Sequence, residues 1–211
     1  MAYYVGLDLG QSADFTALTV VQRVNEVNGE GEVEKRLHLR HLERYPLRTP
    51  YTNVADGVAT LMRSPVLQKD EYDPARNRVS TPRVELLVDS TGVGRAVTDL
   101  LKSRGLCFKR ITITGGEKAH GSGGEWSVPK RDLVAALEVP FHTGALRVAE
   151  GLELWPTLHE ELLSFRRKVN LKTAHDSYEH WRESDHDDLV LACALACWGA
   201  QRPRSVLRVL R

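Results

Sequence analysis

Two segments before Tyr45 alternate apolar and polar positions, and beyond Tyr45 the period changes. The opening run AYYVGLDLG is rich in strand formers and ends in glycine, which predicts a strand that leaves Asp8 near its end. FTALTVVQRV (15–24) and RLHLRHLERY (36–45) alternate, and EVNGEGEVEKR between them reads as a polar, glycine-containing turn. Three successive strands joined by short turns make an antiparallel meander. PLRTP breaks the alternation, and from Tyr51 to Arg63 the apolar Val54, Val58, Leu61 and Met62 fall on one helical face. A polar loop is expected from Ser64 to Pro82, long enough to be mobile or functional.

VELLVD (84–89) is almost wholly apolar, the pattern of a parallel strand buried on both faces, and it ends in Asp89. STGVG turns into a helix from Arg95 to Ser103, and FKRITIT (108–114) is a fifth strand. The glycine-rich GGEKAHGSGGEW (115–126) reads as a flexible loop or hairpin tip, either a flap over a ligand or a plain surface hairpin. A helix follows with Pro129 near its first position. ALRVA is a candidate short extra strand, and Leu152 to Val169 a long amphipathic helix. The last element, SDHDDLVLACALACW (184–198), has no polar side chain between Leu189 and Trp198, so it is expected to be buried on all sides. The order βββαβαβα predicts an α/β domain with a mixed sheet flanked by helices. No linker or internal repeat divides residues 1–211, so one domain is expected, with a basic tail from about 199.

Composition adds bounds rather than direction. With 211 residues, 42% hydrophobic and 27% charged, the chain has the balance of a globular protein able to bury a real core. No apolar run approaches the roughly 18 residues of a membrane span, and MAYYVGLDLG lacks the basic start of a signal peptide. Cys107, Cys193 and Cys197 make no disulfide framework, and the last two, four apart on the apolar helix, belong to a core. A reducing, cytosolic compartment is the corresponding expectation. A net charge of +1 argues neither for nor against nucleic acid. From Gly199 on, however, GAQRPRSVLRVLR has four arginines and no acid, either a solvated end or a contact for DNA or protein.

The acids change the picture. Asp8 ends the first strand, with Asp14 just beyond it. Asp89 ends the buried fourth strand, and Asp185, Asp187 and Asp188 crowd the mouth of the most apolar helix. Singly, each has a bland explanation. First-turn acids face the positive end of a helix dipole, worth roughly 0.3–1 kcal/mol each, and Ser184 or Asp185 can serve as N-cap. Together they exceed what caps need, and carboxylates at the ends of buried strands are costly unless paired or metal-bound. If the first and fourth strands are neighbours and the last helix crosses them, all three groups meet. Clustered oxygen ligands suit Mg²⁺ or Mn²⁺, and two such ions about 3.5–4 Å apart can activate water and stabilise the leaving oxygen of a phosphodiester. His175, His180 and His186 are spaced too irregularly for a zinc site.

The segments GLDLGQSADFTAL, LLVDSTGVGRAVTDLL, GGEWSVPKRDLVAAL, LHEELLSFRRK and SDHDDLVLACALACW resemble, in this order, the nuclease domain of the large terminase subunit of tailed bacteriophages. That domain is of the RNase H-like superfamily, alongside RuvC-type resolvases, and the resemblance covers nearly the whole chain. It implies a mixed five-stranded sheet flanked by helices and a two-metal endonuclease (Mg²⁺ or Mn²⁺) that cuts concatemeric viral double-stranded DNA during genome packaging. Carried over, Asp8 bridges both metals, Asp89 takes the place of the acid ending the fourth strand, and Asp188 matches the carboxylate of the last helix, one turn after Asp185. Asp187 is the adjacent assisting acid, and Asp14 resembles an auxiliary acid found after the first strand in some members.

Candidate phosphate contacts are Lys118, Lys130, Arg131, Arg166, Arg167, Lys168 and Lys172, each otherwise an ordinary solvated basic residue. Large terminases carry an ATPase motor, and this chain has no GxxxxGK[ST] stretch. An isolated domain or a separate nuclease is therefore expected. The implied partners are the motor, small terminase and portal, in the cytoplasm of an infected bacterium and with no membrane. The alternatives are a RuvC-type junction-resolving nuclease, a non-catalytic packaging adaptor, and one lobe of an actin-like or sugar-kinase ATPase, whose phosphate loops GLDLGQS and VDSTGVG also resemble.

Overall fold

The computed structural model describes residues 1–10, 14–73, 77–92, 95–171 and 187–202. The expected meander is present as β1 (Ala2–Asp8), β2 (Thr16–Val27) and β3 (Val33–Tyr45), antiparallel throughout. α1 (Tyr51–Met62) follows, and its Val54, Ala55, Val58 and Ala59 are buried. The segment expected as a polar loop instead holds α2 (Pro65–Gln68) and a two-stranded hairpin of β4 (Glu71–Asp73) and β5 (Arg78–Ser80). Polar side chains hid this hairpin, because it is held by hydrogen bonds to Tyr3 and Gln22 rather than by an apolar stripe.

β6 (Arg83–Asp89) runs parallel to β1, and α3 (Arg95–Ser103) leads to β7 (Phe108–Thr114), parallel to β6. The five expected strands thus form the centre of the sheet. Three short strands extend its edges: β8 (His120–Ser122) and β9 (Glu125–Pro129) beyond β7, and β10 (Leu146–Val148) beside β3. The order is β10-β3-β2-β1-β6-β7-β9-β8. The glycine-rich stretch is therefore a hairpin whose second strand pairs with β7. α4 (Lys130–His142), α5 (Trp155–Leu171) and α6 (Asp188–Gln201) complete the described chain. α6 begins at Asp188, later than a cap at Ser184 or Asp185 implies, and runs to Gln201, past the point where the basic tail was expected to start. Among the described residues no helix is long and apolar enough to cross a membrane.

Strand alternation divides the core between the two faces of the sheet. Tyr3, Val5 and Leu7 of β1, with Leu86 and Val88 of β6, pack against α1 and α3. Tyr4 of β1 and Leu87 of β6 face α4, α5 and α6. By the same alternation Asp8 and Asp89 project to the α6 side. Leu7 pairs with Val88 in parallel register, so the two aspartates, each one residue further on, end adjacent strands side by side.

α6 lies directly on this face. A Cβ on Gly6 would come within 1.9 Å of the Ala192 carbonyl oxygen, and one on Gly199 within 2.8 Å of Leu87 Cδ1. Only glycine lets backbone and helix approach so closely. From the Gly6–Ala192 contact, two residues along β1 reach Asp8, about 6.6 Å away. One turn back along α6, about 6 Å, reaches Asp188. The helix is thereby set so that its first turn arrives at the end of β1.

Candidate functional site

Asp8, Asp89 and Asp188 are each at most 7% exposed, although they come from β1, β6 and α6. Burial is the largest influence on Asp8 and raises its pKa well above the ordinary value. The charges of Asp89, Asp188 and Asp187 raise it further, and Lys130 pulls it down. Four carboxylates therefore share one electrostatic neighbourhood, and Lys130, the first residue of α4, lies near Asp8 within it. Asp187 is half-buried and occupies the cap position of α6, but its side chain makes no capping hydrogen bond. The helix-cap explanation accordingly does not account for this acid.

Local structure aims Asp89. Its Oδ1 accepts a 2.7 Å hydrogen bond from the Thr91 backbone N–H, closing a turn after β6. Ser90 N donates to the Ile111 carbonyl at 2.8 Å, and Ile113 N donates to Thr91 Oγ1 at 2.8 Å. The turn is thus stitched to β7.

Two residues without a sequence-level role join the cluster. Arg44, at the end of β3, has its guanidinium 3.8 Å from Asp188 Oδ2, hydrogen-bonded to Glu161 of α5, and 4.8 Å from the Phe15 ring centroid. Burial lowers the Arg44 pKa, and Asp188 opposes that shift. Glu161 Oε2 accepts from Val190 N at 3.3 Å, in the first turn of α6. The signal for Glu161 was present in its spacing: it lies three residues after Leu158 and one before Leu162, on the buried stripe of an amphipathic helix. Arg44 had no such signal, because alternating polar residues are ordinary on an outer strand.

The other candidates are dispersed. Asp14 is exposed on the turn before β2. Lys118 is exposed near the β8–β9 hairpin, and Arg131 is exposed on α4, where its guanidinium donates to the Glu117 carbonyl. Asp185, Lys172, His175, His180 and His186 lie outside the described residues, as do the side chains of Arg166, Arg167 and Lys168 on α5 and the chain from 203 on. Arg202, counted with the basic tail, instead stacks on the rings of Trp126 (3.5 Å) and Trp198 (4.4 Å). Cys193 and Cys197 are buried free thiols inside α6.

Among the described residues no group of three or more Asp, Glu, His or Cys side chains is already arranged to hold a metal ion. The chemistry of the donor set nonetheless fits a hard divalent cation: oxygen donors only, from three rigid elements, buried and mutually repelling. Lys130 and Arg44 oppose the negative charges of Asp8, Asp89, Asp187, Asp188 and Glu161, which leaves the locality acidic.

No family model matches the sequence, and no curated protein matches it. Among solved structures, the chain is similar to the large terminase nuclease from thermophilic phage G20c, with a TM-score of 0.51 and 15% identity over 92% of this chain and 80% of that one. Looser likenesses are to the Mn-soaked human cytomegalovirus terminase nuclease domain (TM-score 0.46, 14% identity, 92% and 81% covered). Thermus thermophilus RuvC is looser still (TM-score 0.38, 18% identity, 94% and 92% covered). At these identities the likeness is one of fold: the chain has the RNase H-like fold of a terminase nuclease domain.

Proposed function

We propose that this chain is a metal-dependent endonuclease that hydrolyses phosphodiester bonds of double-stranded DNA, acting as the nuclease of a viral genome-packaging machine. The observation that carries this reading is the convergence of buried Asp8, Asp89 and Asp188 from three separate elements on one acidic point. A fold has no structural need to gather like charges there, and a site for hard cations does.

Asp8, Asp89 and Asp188, with Asp187 as an assisting acid, would hold two ions. Mg²⁺ or Mn²⁺, when bound, supplies water activation and charge stabilisation at the phosphodiester. The chain's own residues do the rest. The short turn after β6 keeps Asp89 aimed, and the apolar body of α6 holds Asp188 rigidly at the sheet end. Lys130, next to Asp8, offers an ammonium to the phosphate of the cut strand, and exposed Arg131 and Lys118 are further candidate phosphate contacts. Asp14 and Asp185 remain auxiliary acids in this reading. A motor ATPase, small terminase and portal are its partners, in the cytoplasm of an infected bacterium.

The test is plasmid cleavage in Mg²⁺, Mn²⁺ or EDTA, with Asp8→Ala and Asp188→Ala alongside. Metal-dependent nicking or linearisation lost in both variants supports the reading. Cleavage that persists in a folded Asp8→Ala protein removes the site.

A further inference from the structure

Arg44 and Glu161 form a pair that the ligand set leaves unexplained. Glu161 stands at the edge of the carboxylate cluster, yet each of its oxygens already has a donor: Oε1 takes the Arg44 guanidinium, and Oε2 the Val190 N–H. It is therefore placed to support the site rather than to bind an ion. Arg44 is divided unequally between two acids. It is in hydrogen-bond contact with Glu161 but 3.8 Å from Asp188, an ion-pair distance longer than a hydrogen bond. Side-chain exposures of 14% for Arg44 and 7% for each acid mean that these charges act with little solvent screening. The three groups also tie β3, α5 and the first turn of α6 to one another.

We propose that Arg44 and Glu161 are positioning residues for Asp188. Glu161 holds the guanidinium back from closing onto Asp188 and neutralises its charge. Asp188 is steadied from one side without surrendering its affinity for a divalent cation. The inference rests on the divalent-cation reading above and deepens it, because it assigns the site a built-in balance between a resident cation and an incoming one. Partners behind a ligand commonly change metal affinity by about 10–100-fold.

The test is Mn²⁺ binding by calorimetry, with thermal unfolding as the check on folding. Glu161→Gln keeps the shape and an acceptor for Val190 but releases the Arg44 charge towards Asp188. Mn²⁺ affinity should fall about tenfold or more. The double variant Arg44→Gln/Glu161→Gln removes that released charge and should recover to within about threefold of wild type. A merely structural pair would leave the double variant no better than the single. Arg44→Lys, which keeps the charge but loses the planar fork that grips Glu161, should weaken Mn²⁺ binding severalfold, and it serves as the second arm if Glu161→Gln does not fold. Wild-type affinity in either single variant, or a double variant as weak as Glu161→Gln, overturns the proposal alone. A wild-type chain that takes up no Mn²⁺ overturns the metal reading with it, and that result is visible before any variant is made.

Discussion

Acids stand at both ends of β1 and are treated in opposite ways. At its start, Glu71 accepts hydrogen bonds from the Tyr3 hydroxyl (2.6 Å) and from Gln22 Nε2 (2.7 Å), and Asp73, 1% exposed, accepts from the N-terminal ammonium (3.2 Å) and Asn25 (3.3 Å). Each carboxylate there is met by donors, and the result is an anchor for the β4–β5 hairpin. At the other end, about 20 Å along the strand, Asp8 is surrounded mainly by other acids, and its anion is disfavoured by burial and by three negative neighbours. The same chain can thus satisfy buried carboxylates when structure is the only demand. Where it leaves them repelling one another, the arrangement serves something that structure alone does not require.

The contrast is broken most sharply by cleavage. Asp8→Asn should cost several kcal/mol of transition-state stabilisation, about a thousandfold or more in metal-dependent rate, measured on supercoiled plasmid at saturating Mn²⁺. Asp73→Ala should do the reverse. By leaving buried donors unmatched it should cost about 2 kcal/mol of stability, or roughly 4–8 °C in Tm, while cleavage per folded molecule is retained. An Asp73 variant that folds normally but does not cut would erase the division between the two ends. Smaller, and opposite in sign, is the effect of Asp8→Asn on the metal-free fold. Removing one of the repelling charges should raise Tm in EDTA by about 2–4 °C, roughly 1 kcal/mol. Mn²⁺, which should stabilise wild type by binding only its folded form, should add little to this variant.

Much of this was legible in the sequence. The meander was marked by strand-forming and alternating runs, β6 and α6 by unbroken apolar ones, and Asp8, Asp89 and Asp188 were conspicuous as acids placed against apolar runs. Their meeting point was legible only as a condition, that the first and fourth strands be neighbours, and the parallel β1–β6 register supplies it. What escaped was held by polar contacts between distant residues. The β4–β5 hairpin is anchored by Tyr3 and Gln22, 68 and 49 positions from Glu71. Arg44 meets Glu161 across 117 positions. β9 went unmarked because Glu125–Pro129 straddles the glycine-rich 115–126 stretch and the start of the next helix, and five residues are too short a run for their alternation to stand out. Periodicity reports burial against a neighbouring layer and says little about which polar group will find which.

The smallest effect is also the most direct test of the repulsion itself. In the folded chain Asp8 holds its proton to higher pH than the ordinary value of 3.8, because burial and then the charges of Asp89, Asp188 and Asp187 disfavour its anion. Between the unfolded and folded pKa values the folded chain binds more protons than the unfolded one, so stability must fall as pH rises. The contribution is fully present below the unfolded value and is lost as pH climbs through the folded one. A salt-bridged aspartate gives the opposite slope. In EDTA, then, acidifying from neutral pH should first raise the Tm of wild type, before general protonation of the paired acids lowers it. Asp8→Asn should flatten that initial rise, since the substituted amide carries no proton to gain. Equal slopes in the two proteins would mean that the acids at this end of β1 are as well satisfied as Glu71 and Asp73 at the other, and the case for a cation there would lose its physical basis.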